Sequence, residues 1–464
     1  MGMSVVPFDR ALQQKYDRPG PRYTSYPTAP QFHHGFDAVQ YAAAALESNA
    51  VPLPRPLSLY VHVPFCESLC YYCACNKIVT RHRGKADVYL DYIERELALQ
   101  AALFDGDRTV QQLHLGGGTP TYLSARQLWR LMQSIAHHFR LAAGKEREFS
   151  IEIDPRAVDE DTMEVLAELG FNRISLGVQD FDPRVQAAVN RLQSEEETRR
   201  VIEQARTNGV HSISLDLIYG LPLQTVKSFD ATLDRVLDIR PDRLSIYSYA
   251  HLPERVRAQR LIRTEDLPPA GEKLSILGHS INRLNAAGYR TIGMDHFALP
   301  DNELSRAMDA GTLQRNFQGY STHADCDLIG IGVTAIGKVA DSYSQNVKHL
   351  NRYYAELDAG RLPLERGVLL DFDDRLRRAV IEAVMCRWEV DYASFEDDYN
   401  IAFQDYFAPE LVSLDEMESD GLVTREPGRL RIQPRGRLLL RNVAMVFDRY
   451  LRTATPIVQY SRTV

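Results

Sequence analysis

What this chain lacks narrows it first. It has six cysteines in 464 residues, and outside one cluster there is no second close-set pair. Neither a disulfide framework nor a zinc site built from two separated pairs is therefore expected. No apolar run is long enough to span a bilayer, and the opening MGMSVVPFDR carries no apolar signal stretch, so a protein of the reducing cytoplasm is expected. No low-complexity tract or short repeat interrupts an ordinary globular composition of 44% apolar and 25% charged residues. Excess positive charge is also missing. The formal net charge is −8, which argues against an extended nucleic-acid footprint and leaves room only for a local basic pocket.

What is present is concentrated. Cys66, Cys70, Cys73 and Cys75 all fall in PFCESLCYYCACNK, and the first three have the spacing C-x3-C-x2-C. Three thiolates can hold a [4Fe–4S] cube and leave one iron without a protein ligand, free to bind and reduce something. Zinc is the alternative, but it needs four ligands, and Cys326 and Cys386 are isolated far along the chain. The colour and metal content of anaerobically purified protein separate the two.

Short β-branched runs alternate with amphipathic stretches. Strands are expected at Leu57–Val63, Val110–Leu115, Glu148–Ile153, Arg173–Leu176, Ser212–Leu217 and Arg243–Tyr247. Helices are expected at Ala86–Phe104, Ala125–Phe139, Asp161–Leu169, Glu195–Asn208 and Ser228–Asp238. Six such units predict an α/β fold, an incomplete (β/α)6 TIM-like barrel of parallel strands open on one side. Residues 1–55 form an N-terminal extension ending in a proline-rich connector, residues 56–365 the barrel, and residues 366–464 a mainly helical, winged-helix-like C-terminal domain with a hairpin at Gly421–Pro434. That last part carries 13 Lys/Arg against 17 Asp/Glu from residue 371 onward, so it is expected to pack over substrate rather than bind DNA.

The unusual residues favour one rim. The cysteine loop follows the first strand, and Gly116, Gly117, Gly118 and Thr119 follow the second. Glu152 and Asp154 close the third, Gln179 and Asp180 come after the fourth, Asp216 lies near the end of the fifth, and Tyr247, Tyr249 and His251 follow the sixth. The carboxyl ends of parallel strands build active sites in such folds. This arrangement points to an enzyme.

CESLCYYC resembles the signature of radical S-adenosylmethionine enzymes. With PRYTSYPTA, GGGTPT, IEIDPR, GVQDF, DLIYGLP, YAHLP, GMDHF, RNFQGY and GIGVTAIG, the chain resembles the oxygen-independent coproporphyrinogen III oxidases from about residue 16 to its end. The resemblance implies a [4Fe–4S] cluster on Cys66, Cys70 and Cys73, whose fourth iron chelates S-adenosylmethionine and cleaves it to a 5′-deoxyadenosyl radical. It implies one S-adenosylmethionine lined by Tyr60, Gly117, Glu152 and Ile336, and a second by Tyr72, Gly118, Thr119, Gln179, Arg191, Asp216 and Ala250. For Arg191 and Asp216 the competing expectation is a buried salt bridge. Glycines after the second strand are expected to let backbone approach the methionine end. Cys75 is expected near the active site but off the iron. Tyr72 and Ala74 stand where the family often has phenylalanine and commonly has glycine.

The implied substrate is coproporphyrinogen III, two of whose four propionates become vinyl groups in protoporphyrinogen IX. An acidic protein needs a focused basic site for it. Arg22, Lys77, Arg81 and Arg315 are the candidates, Arg22 and Arg315 being in the more distinctive motifs. An electron donor such as flavodoxin or ferredoxin, no nucleic acid, no membrane insertion and a monomer complete the expectation. The haem-trafficking branch of the superfamily is the nearest alternative. It lacks the CxC step and the PRYTSYPTA extension, and its HNxxYW-like motif is here QNVKHLNRYY. A tRNA-modifying radical enzyme would need a basic face that the charge count does not offer.

Overall fold

A computed structural model describes residues 6–144, 147–323, 326–453 and 460–463. Six parallel strands come first, in the sequential order β1 (Leu57–Val63), β2 (Thr109–Gly117), β3 (Glu148–Ile153), β4 (Arg173–Gln179), β5 (Ser212–Tyr219) and β6 (Arg243–Ser248). A seventh parallel strand that the sequence reading missed, β7 (Asp327–Ile331), pairs with the free edge of β1. Antiparallel strands extend both edges. His296–Ala298 and Arg290–Gly293 follow β6, while Ile336–Val339, Ser342–Asn346 and Leu364–Leu369 follow β7. The ends do not meet, so the barrel is open.

The strands alternate strictly. Leu57, Leu59, Val61 and Val63 of β1 join one apolar core with Leu113 and Leu115, Phe149 and Ile151, Ile174 and Leu176, Leu215 and Leu217, and Leu244 and Ile246. That core is closed by Leu90, Ile93 and Leu97 of helix Gly84–Ala101 and by Leu128, Leu131 and Ile135 of helix Ala125–His138. The intervening residues, Ser58, Tyr60 and His62, then Gln112 and His114, then Ser150 and Glu152, face the concave side. A parallel sheet covered by helices on both faces reads as continuous apolar runs. Here the polar half of each strand lines a cavity instead.

The ends of the chain share a second core. Leu12, Tyr16, Tyr23 and Tyr26 pack with Leu376, Val380, Phe403, Leu439, Val443 and Phe447. Burying each such side chain contributes on the order of 2 kcal/mol. Hydrogen bonds reinforce the joint, from Arg441 Nε to Pro21 O (2.9 Å), Asn442 Nδ2 to Tyr16 O (2.7 Å) and the Tyr23 hydroxyl to Asp448 (2.9 Å). The C-terminal hairpin forms at Val423–Glu426 and Arg429–Ile432, with Gly428 at φ +82° in its turn, and a third strand, Glu389–Asp391, pairs along Arg429–Ile432. Among the described residues no helix is long and apolar enough to cross a membrane.

Candidate active site

The carboxyl ends of the barrel strands open into two neighbouring cavities. The smaller, about 450 Å³, is lined by Cys66, Cys70 and Cys73 together with residues from β2 to β5. The larger, about 960 Å³, is lined by Tyr60, His62, His114, Phe317, Gln318 and Ile336 among others. Cys73, Cys75, Lys77, Gly117, Glu152 and Tyr247 line both and form the wall between them.

The cysteine loop is fastened on two sides. Gly118 N donates to Val63 O and Thr119 N to Phe65 O (2.8 Å each), and the Thr119 hydroxyl donates to Cys66 Sγ at 3.5 Å. Opposite, Tyr71 N donates to Val189 O (3.0 Å) and the Asn190 amide to Leu69 O (2.8 Å). The glycine run also lets neighbouring protein groups come close. A Cβ on Gly116 would meet the Glu152 carboxylate at 2.9 Å, one on Gly117 the His62 ring at 2.7 Å, and one on Gly118 the Pro64 and Phe65 backbone at 2.8 Å. Space is made for neighbouring protein atoms.

Each thiol has its own surroundings. Burial pushes the Cys66 thiol up to about 11. The buried Cys70 sulfur is flanked by Arg156 and Arg191, each 3.6 Å away, and both guanidinium groups also hold Asp154, at 2.7 and 3.0 Å. Burial alone would raise the Asp154 carboxyl, but Arg191 and Arg156 hold it down to about 2. The salt bridge expected for Arg191 thus exists, and the same side chain lines the thiol cavity. Cys73 is held below its ordinary value by the hydrogen bond from the Cys75 thiol and by Lys77, whose Nζ donates to Cys73 O at 2.8 Å.

Carboxylates on the concave face behave differently from one another. Glu152 accepts from Gly117 N at 3.1 Å and lies 3.3 Å from His114 Nε2. Burial opposes its charge, yet the hydrogen bond and charge of His114 outweigh that and keep it below the usual range. Tyr60 stacks on the His114 ring at 5.9 Å and meets His62 Nδ1 at 3.1 Å. Asp216 accepts from Ser175 Oγ at 2.9 Å, has no cation in ion-pair contact among the described residues, and is pushed up to about 6 by burial.

Tyr60, Gly117, Glu152 and Ile336 all line the larger cavity. Tyr72, Gly118, Thr119, Gln179, Arg191 and Asp216 all line the smaller. Ala250 lines neither; Gln259 links it to the site, its amide donating to Ala250 O (3.1 Å) and Tyr72 O (3.0 Å). Cys75 is exposed at the shared wall. Arg22 and Arg315 line neither cavity. Arg22 is paired with Asp295 and lies over the Tyr247 ring, 5.6 Å from its centre. Arg315 lies over Tyr320 and donates from Nε to Arg22 O at 3.4 Å. Cys326 and Cys386 are buried away from the cluster. His62, His114 and Arg156 are site residues that sequence reasoning did not single out. The alternation of YVH in β1 and QLH in β2 was the available signal for the histidines.

Among the described residues no three His, Cys, Asp or Glu side chains converge to hold a single metal ion. Three thiols that ring one cavity suit a larger inorganic group, and soft sulfur donors suit iron–sulfur chemistry.

Residues 60–236 match the model of the radical SAM superfamily, and residues 370–439 that of the HemN C-terminal domain. The oxygen-independent coproporphyrinogen III oxidase of Pseudomonas aeruginosa is 50% identical over 449 residues, covering 97% of both chains. Those of Salmonella typhimurium and Escherichia coli K12 are 49% and 48% identical over 464 residues, covering 100% of each chain.

The chain belongs to the oxygen-independent coproporphyrinogen III oxidase family.

The solved structure of coproporphyrinogen III oxidase (HemN) from Escherichia coli, described as a radical SAM enzyme, superposes with a TM-score of 0.91 at 47% identity. It covers 96% of this chain and 100% of that one. The open parallel barrel and helical C-terminal region are therefore those of this oxidase family. The family's [4Fe–4S] cluster and S-adenosylmethionine fit the thiol-ringed cavity and its larger neighbour.

Proposed function

We propose that this chain converts two propionate side chains of coproporphyrinogen III to vinyl groups without oxygen, giving protoporphyrinogen IX for haem synthesis. One observation carries the reading: a cavity ringed by Cys66, Cys70 and Cys73 adjoins a larger one across a wall made partly of Cys73, Cys75, Gly117 and Glu152. When bound at the three thiols, a [4Fe–4S] cluster with S-adenosylmethionine would supply hydrogen abstraction from the propionate carbon attached to the pyrrole.

The chain's own residues do the rest. Glu152, kept charged by His114 and Gly117 N, offers a carboxylate to the amino or sulfonium group of the nucleotide, with Tyr60 and Ile336 beside it. Asp216 offers an acceptor for ribose hydroxyls or an ammonium group in the smaller cavity, and Arg191 a guanidinium for a carboxylate. Cys75 stands where the two cavities meet, its thiol reaching substrate rather than iron. Arg22 and Arg315 brace the inner side of Tyr247 and Tyr320. Residues 1–55 and 366–464 close the open side of the barrel (56–365) and keep water from the reacting carbon. The enzyme works as a cytoplasmic monomer reduced by a flavodoxin- or ferredoxin-like donor.

The test is an anaerobic incubation with coproporphyrinogen III, S-adenosylmethionine and a reductant, followed by mass analysis of the tetrapyrrole. Successive loss of two carboxyl groups supports the reading. Nucleotide cleavage with an unchanged tetrapyrrole overturns it.

A further inference from the structure

The larger cavity carries a charge pattern that the nucleotide-binding residues leave unused. Five cationic side chains line it, Lys77, Arg255, Arg257, Lys348 and Arg366, against one carboxylate, Glu152, which His114 and Gly117 N already engage. The protein as a whole is acidic, and many of its arginines elsewhere are matched with nearby carboxylates, as Arg95 is with Asp358 and Arg290 with Asp309. Among the described residues, Lys77, Arg257, Lys348 and Arg366 make no ion pair. Two of them are steadied by neutral oxygen acceptors. Lys77 donates to Cys73 O at 2.8 Å, and Arg366 donates to Gln345 Oε1 at 2.7 Å and lies over the Phe32 ring. Such partners orient a cation without neutralising it.

We infer that Lys77, Arg257, Lys348 and Arg366 form a carboxylate clamp that selects a substrate bearing several carboxylates around a large apolar body. The inference rests on the functional reading above and names the groups that would hold its substrate.

Position supports it. Lys77 leaves the cysteine loop, Arg257 belongs to the short helical turn Arg257–Leu261 beyond β6, Lys348 lies in the bend after the antiparallel strand Ser342–Asn346, and Arg366 is on the antiparallel strand Leu364–Leu369 beyond β7. The charges therefore approach from both edges of the open barrel. Cations spread in this way match carboxylates at the periphery of a large ligand, whereas a single anion would gather them at one point. Phe317 and Tyr247 line the same cavity and supply apolar surface for ring systems. Its volume, about 960 Å³, lies near the upper end for small-molecule sites. Arg22 is less suited to the task, because Asp295 already holds its charge.

The experiment titrates anaerobically reconstituted holoenzyme with coproporphyrin III, a non-reacting fluorescent tetracarboxylate, and with protoporphyrin IX, a dicarboxylate. Arg257→Gln, Lys348→Gln and Arg366→Gln are each expected to weaken coproporphyrin III by roughly ten-fold, as loss of one charge-assisted hydrogen bond does. They should weaken the dicarboxylate less and retain full iron and affinity for S-adenosylmethionine. Arg366→Lys should recover part of the loss. In the wild type, coproporphyrin III affinity should fall as salt rises. Unchanged affinity in the iron-replete Gln variants, or a wild-type affinity indifferent to salt, overturns the clamp while leaving decarboxylation by the wild type intact. Equal weakening of both porphyrins also overturns it. Lys348 is exposed and among the described residues its side chain makes no hydrogen bond or ion pair, so its variant stays informative if the others fold poorly.

Discussion

Asp216 is the residue whose replacement tests the cavity most sharply. Burial raises its carboxyl from 3.8 to about 6, opposed by the Ser175 hydroxyl and helped by the Glu152 charge. A shift of about two units at about 1.4 kcal/mol each costs the empty protein about 3 kcal/mol, reduced to about 2 kcal/mol because water reaches the cavity. The sign follows from the raised value. The folded state binds the proton more tightly than the unfolded chain, so the cost is fully felt above pH 6. It fades as pH falls from 6 towards 3.8 and is gone below that. Asp216→Asn should therefore stabilise the ligand-free protein by about 2 kcal/mol at pH 7.5 and by little at pH 4.5. The same change should weaken S-adenosylhomocysteine, a non-cleavable analogue, by roughly ten-fold, because an amide accepts hydrogen bonds less strongly than a carboxylate. Urea unfolding followed by Trp129, on helix Ala125–His138 of the barrel, measures the first effect, and calorimetric titration the second. A variant no more stable than wild type at pH 7.5, or one with the same gain at both pH values, refutes the reasoning.

Cys66→Ser, Cys70→Ser and Cys73→Ser should each lose iron, measured as metal per chain after anaerobic reconstitution; a full complement of iron in any of them contradicts the ligand assignment. Cys75→Ser should retain iron and nucleotide cleavage yet impair vinyl formation, so iron loss there would move Cys75 onto the cluster. Asp154→Asn removes the bridge between Arg156 and Arg191. With the carboxyl depressed from 3.8 to about 2, the bridge contributes about 2 kcal/mol above pH 4. The gap between wild type and variant in urea midpoint should close as pH falls from 4 towards 2, and a gap constant with pH argues against it. Arg22→Gln leaves Asp295 without its guanidinium. It should cost about 2 kcal/mol, less than a fully buried pair because Arg22 is a third exposed, and an unchanged unfolding midpoint would show that the pair is idle.

Much of the barrel was legible because strand and helix periods differ. LSLYVHV, EFSIEI and SISLDLIY name their strands at once, and Gly170 and Gly209, at φ +88° and +82°, mark the ends of the helices before them. Strand β7 escaped because DLIGI follows a long excursion through helix Ala270–Ala286 and two hairpins, with no strand–helix rhythm to announce it. The rim itself was readable from residue order. What order could not reveal was pairing at a distance: Asp295 captures Arg22 from far along the chain, and Gln259 stands between Ala250 and the site. The glycine run was legible as a need for space, but the His62 ring and the Glu152 carboxylate that fill it belong to other strands.

The shared core of the two chain ends bears on synthesis. Tyr16, Tyr23 and Tyr26 leave the ribosome early, yet Phe403, Val443 and Phe447, which enclose them, emerge last. The barrel can assemble while translation continues, but these tyrosines have no seat until the final stretch is made. A chain released before that stretch would thus leave Tyr16, Tyr23 and Tyr26 unenclosed beside a formed barrel, an apolar face open to the cell.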